Sequence, residues 1–181
     1  MARSLHARFD ADAVVVYQAY PEALGRELVA MGRFGGSWRF DRHTRIQPSW
    51  RGTLRRYAWG ERPDRERILA VRVRRAGFDA LLTAALQQAF DERLYASKQA
   101  WRLATRFAPV LVEWDADPSD GDEDDEVARL RIHGPLVRRF AEEWVVGIDD
   151  VSALARATDA DHSAEAPYPV ADDVAVRIGL R

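Results

Sequence analysis

Residues 14–59 read VVVYQAYPEALGRELVAMGRFGGSWRFDRHTRIQPSWRGTLRRYAW. This segment constrains the fold more than any other. The apolar run over 13–18 predicts a buried strand. Pro21 suits a first helical turn and Gly32 a helix end, so 21–31 predicts a helix with Leu24, Leu28 and Met31 along one face. After the GRFGG return, the imperfect alternation of Trp38, Phe40 and Ile46 predicts a second strand over 37–46, with a bulge. Pro48 opens a second helix that Gly60 stops. Polar side chains fall where those strands end, and packing alone does not call for them there. A ligand site is therefore expected on this strand–helix–strand–helix scaffold.

The remaining pattern continues in kind. Alternation predicts strands over 67–74, 109–114, 127–133 and 142–151. Helical spacing of Phe78, Leu81, Leu82, Ala85, Leu86 and Phe90 predicts one long helix over 77–95. Shorter helices are expected over 98–106, after Gly134 and over the SALARAT stretch. The order implies an α+β chain, one domain spanning 1–181 with a mixed sheet. Nine acids and no base lie between Glu113 and Glu126. We read 116–126 as an acidic mobile loop and 158–168 as a polar linker to a C-terminal tail that packs back.

Composition narrows the chemistry. The chain has no cysteine, which removes thiol catalysis, disulfides and cysteine-based zinc sites. Lys98 is the single lysine, so a Schiff base is not expected. Thirteen arginines stand against four acids between Met31 and Arg75. Guanidinium forks suit phosphate and carboxylate oxygens, so this segment points to a phosphate-bearing ligand, a nucleotide or nucleic acid. No signal peptide and no membrane span is expected, and the cytoplasm is the simplest compartment.

Several motifs are missing: there is no G-x-S-x-G elbow and no G-x-x-x-x-G-K-[ST] loop. The acidic run has the wrong spacing for an EF-hand. His6, His43, His133 and His162 show no metal-ligand spacing, so no metal is expected. What survives is polar residues at element ends. Gln18 closes the first strand, with Tyr20 just beyond. Arg33 sits in the glycine turn, Arg42 and Thr44 in the second strand. Gln47 and Ser49 flank Pro48, where helix N–H groups could receive an anion. Glu143 opens the last strong strand. Each also has a plain structural role open to it: Ser49 as a cap, Gln18 as an edge partner, Glu143 as a solvated acid.

The segments VYQAY, GRFGG, FDRHTRIQPSW, RILAVRV with RRAGFD, VLVEWD, EEWVVGIDDV and RIGLR closely resemble the uncharacterised bacterial and fungal domain-of-unknown-function family numbered 4291. Gln47 stands where that family usually carries lysine. More distantly, the chain resembles the ADP-ribosyltransferase fold, which implies a mostly antiparallel split sheet flanked by helices. That resemblance puts Gln18 where those domains carry His or Arg, Thr44 at their aromatic or hydroxyl position and Glu143 at their catalytic Glu. It implies an NAD-dependent transfer of ADP-ribose to an unknown acceptor. Gln18, Thr44 and Glu143 would be catalytic, and Tyr20, Arg33, Arg42, Gln47 and Ser49 would bind NAD. The alternative is a non-catalytic RNA- or nucleotide-binding module. In it, Arg39, Arg45, Arg51, Arg55 and Arg56 supply charge while Trp38, Trp50 and Tyr57 offer stacking surfaces.

Overall fold

A computed structural model describes residues 3–117, 125–157 and 164–181. The chain begins with β1 (Arg3–Ser4), β2 (His6–Phe9), β3 (Ala13–Tyr20), α1 (Glu22–Met31), β4 (Thr44–Ile46) and α2 (Trp50–Arg56). It continues through β5 (Arg67–Arg74), α3 (Arg75–Thr83), β6 (Ala85–Gln87), α4 (Lys98–Arg106), β7 (Val110–Asp117) and β8 (Asp125–Ile132). Last come α5 (Pro135–Arg139), β9 (Val145–Asp150), α6 (Ser152–Arg156), β10 (Ala166–Pro167) and α7 (Asp172–Arg177).

Two five-stranded sheets result. One is antiparallel throughout, in the order β10-β2-β3-β5-β9. The other is mixed, in the order β1-β8-β7-β6, with β4 also on β8. The two meet where Tyr17 and Gln47 exchange backbone hydrogen bonds of 2.8 and 3.0 Å. One apolar core serves both: Val14, Val16, Val71 and Val73 pack in the same cluster as Val110, Val112, Leu130 and Ile132. Side chains alternate along β3. Val14 and Val16 face this shared core, while Tyr17 and Ala19 face a smaller cluster with Trp50 and Leu54. The chain is thus a single α+β domain.

Local chemistry explains most boundaries. Pro21 stands at the N-cap of α1, and Gly32 ends the helix at φ +62° with its N–H on the Val29 carbonyl. Ser49 caps α2 through its hydroxyl, which accepts from the Gly52 N–H at 3.2 Å.

Four expectations are corrected. The helix expected over 77–95 ends at Thr83, and Ala85–Gln87 pair in parallel with Val110–Val112 instead. The strand expected over 37–46 shrinks to Thr44–Ile46. Trp38 leaves the alternation to pack on Phe34 and Phe40, at centroid distances of 4.6 and 5.0 Å. The strand expected over 142–151 begins at Val145, because Phe140–Trp144 form a single π turn. Of the expected linker, Ala166–Pro167 pair with β2 and Tyr168 is buried. Residues 118–124 of the acidic stretch and 158–163 of the linker lie outside the described residues.

Candidate functional site

Where the two sheets part, the last residues of β3 face the first residues of β4. Gln18 shares the core-facing side of β3 with Val14 and Val16, so its amide is buried at 3% exposure. Its Nε2 donates to Thr44 Oγ1 at 2.6 Å and to the Arg45 carbonyl at 2.8 Å. The carbonyl needs a donor, which fixes the amide orientation. Gln18 Oε1 is then left buried without a hydrogen-bond partner among the described residues. An unpaired buried acceptor costs about 1–3 kcal/mol, and this one belongs to a side chain that lines a cavity.

That cavity measures about 440 Å³, within the range of small-molecule sites. Tyr20, Trp38 and Tyr57 give it ring surfaces, and Arg39, Arg42, Arg45 and Arg65 give it positive charge. Trp38 Nε1 donates to the Tyr20 hydroxyl at 3.0 Å. Burial pushes the Tyr20 pKa up, against the hydrogen bonds from Trp38 and Thr44, so the phenol stays protonated. Arg39 is already held by Asp41, at 2.5 Å. His43 also lines the cavity, and its pKa is pushed down, first by burial and then by Arg45 and Arg131. Arg45 Nη1 donates to His43 Nε2 at 3.0 Å. A guanidinium has no lone pair to offer, so the imidazole is neutral, with its proton on Nδ1. The cavity therefore offers fixed positive charge and one neutral imidazole.

Gln18, Thr44, Tyr20 and Arg42 meet at this cavity; Arg33, Gln47, Ser49 and Glu143 do not line it. Arg33 is exposed on the glycine turn. Gln47 is 2% exposed, and its amide nitrogen fills the space a Cβ on Gly52 would need. Ser49 serves as the α2 cap. Glu143 stands exposed on the π turn, paired to Arg139 at 3.2 Å. The turn explains it: Phe140, Ala141 and Trp144 take the buried positions, which leaves Glu142 and Glu143 toward solvent.

Sequence reasoning missed His43 and Arg65 as lining residues and named Trp38 only as a stacking surface. The Trp38–Arg39–Arg42–His43 cluster beside a glycine turn was the available signal. Trp50, expected to offer a stacking surface, is core at 0% exposure, while Trp38, at 7%, lines this cavity. Nor do the arginines of 31–75 share one face. Arg39, Arg42 and Arg65 line this cavity, Arg56 pairs with Asp115, and Arg67 with Glu22 and Asp150. Among the described residues, no group of three or more His, Cys, Asp or Glu could hold a metal ion. No described helix is long and apolar enough to cross a membrane.

The fold and site define an α+β domain whose two sheets part around an arginine-rimmed cleft. A family model described as "Domain of unknown function (DUF4291)" matches residues 4–174, and the chain belongs to that family. Comparison with curated proteins finds no match.

Proposed function

We propose that the cavity between β3 and β4 binds a phosphate-bearing nucleotide, with NAD the leading candidate. The observation that carries this is the lining of the cavity, where Arg42 and Arg65 stand with the rings of Tyr20, Trp38 and Tyr57. NAD carries a pyrophosphate for the guanidiniums and aromatic bases for the ring surfaces. Arg42 and Arg65 offer guanidinium forks to its phosphates, and Tyr57 and Tyr20 offer ring surface.

Bound NAD would supply an ADP-ribosyl group for transfer to an acceptor. Such a transfer draws on a carboxylate near the ribose as positive charge develops there. Glu143, expected in that role, lines no part of this cavity. Ligand binding is therefore the primary reading and ADP-ribosyl transfer the second. One observation favours the second: Gln18 and Thr44, placed by resemblance on two separate strand–helix units, touch at 2.6 Å.

A thermal-shift panel of NAD, ADP-ribose, ATP and GTP tests the proposal. A ligand at a hundredfold excess over its Kd adds about 2.7 kcal/mol of apparent stability. The gain should fall away in Arg42→Ala and in Arg65→Ala, both on the exposed rim, and should persist in Glu143→Gln. No shift with any of the four would sink the proposal. Nicotinamide release that collapses in Glu143→Gln would promote transfer to first place.

A further inference from the structure

A second, larger cavity of about 730 Å³ lies between α4 and the outer face of the mixed sheet. Its floor is a charge lattice built from three adjacent strands. Glu113 on β7 faces Arg129 on β8 in register, and Arg131 on β8 faces Arg45 on β4. Glu113 is 9% exposed and has three guanidiniums around it. Arg129 touches it directly, Arg131 Nε lies 3.4 Å away and Arg45 Nε 3.8 Å. Asp115 is the next carboxylate along β7, held by Arg56 and 3.5 Å from Arg129 Nε.

Four arginines thus share two carboxylates. The Nε atoms of Arg45, Arg56, Arg129 and Arg131 are buried with no hydrogen-bond partner among the described residues. Clustered like charges repel, and partial burial strengthens the repulsion because screening is poorer. Among the described residues that line the cavity, positive charge is in excess, which suits an anionic ligand. α4 adds Arg102 and Arg106 to the same cavity, and none of its residues is buried. Trp101 and Phe90, 6.0 Å apart, complete the wall with half-buried rings.

We infer that this cavity binds the sugar–phosphate backbone of a single-stranded nucleic acid, with a base against Trp101. Arginine supplies the backbone charge and the rings supply stacking, the combination that single strands require. Continuity favours a strand over an isolated phosphate. Arg45 lines this cavity and the nucleotide cavity alike, and adjacent sites suit a polymer. Trp101, Arg102, Arg106 and Arg131 line this cavity and not the other, so the site stands whether or not a nucleotide binds next to Gln18.

Fluorescence anisotropy of a labelled single-stranded RNA oligonucleotide, titrated with the full chain across a salt series, tests this. Binding should weaken steeply with salt. Arg102→Glu with Arg106→Glu lies on the exposed helix and should raise Kd about tenfold or more and flatten the salt slope by about 1.4. Arg131→Gln should weaken binding in the same direction, and Trp101→Ala should do so without changing the slope. Nucleotide thermal shifts in the α4 double variant should match wild type, which separates this site from the first. Unaltered oligonucleotide affinity in the α4 double variant and in Arg131→Gln would overturn the inference. So would displacement of the oligonucleotide by inorganic phosphate at equal concentration, or binding of anionic vesicles without oligonucleotide binding.

Discussion

Gln18 shows how a single side chain carries both structure and site. Its nitrogen staples two sheets, and its oxygen stays buried without a hydrogen-bond partner among the described residues. The same scale governs pH response. His43 and His133 stack at 5.5 Å, and both pKa values are pushed below 6.5, chiefly by burial and then by neighbouring cations. The unfolded chain therefore takes up these protons first as pH falls. Their contribution to stability is complete above about 6.5 and is lost as pH drops through that value toward the lower folded ones. Urea unfolding between about pH 7 and 5 should show this loss. His43→Asn with His133→Asn should flatten it. An undiminished slope in the double variant would refute the assignment. The carboxylates held by arginine, such as Asp41 at about 2, act in a separate and more acidic window.

At the scale of elements, α3 packs closely where it meets the π turn. A Cβ on Gly77 would lie 2.3 Å from Trp144 Cγ. Gly77→Ala improves helix propensity by about 1 kcal/mol, yet it must displace a buried indole, and overpacking costs about 1–3 kcal/mol or more. The expected result is net destabilisation, read as a lower urea midpoint together with a shifted Trp144 environment. An equal or higher midpoint would show that the indole yields freely. The π turn also explains what the sequence concealed. EEWVVGIDDV alternates well enough to read as strand, but Phe140, Ala141 and Trp144 are buried at helical spacing. Likewise, Ala85 and Leu86 continue the helical period of α3, and nothing local marks Thr83 as its end. The free edge of β7 claims those residues. Proline and glycine, by contrast, made α1 and α2 legible, because their constraints act within a few residues.

For the whole molecule, the shared core joins strands of both sheets with α3, α5 and α7. Neither sheet keeps its inner face covered without the other. Calorimetry should therefore show one transition with equal calorimetric and van't Hoff enthalpies; two resolved transitions would show separable halves. The sequence alone determined the α+β character, the strand at Arg67–Arg74, the helix at Lys98–Arg106 and the polar residues at the ends of β3 and β4. These follow from alternation, helical period and turn residues, all short-range. Only tertiary structure decided that Gln18 meets Thr44 while Glu143 faces solvent, and that arginines far apart in sequence gather around Glu113. Those outcomes depend on which strand edges pair and which side chains win the buried positions. That competition is settled between segments many residues apart, so no local window contains it.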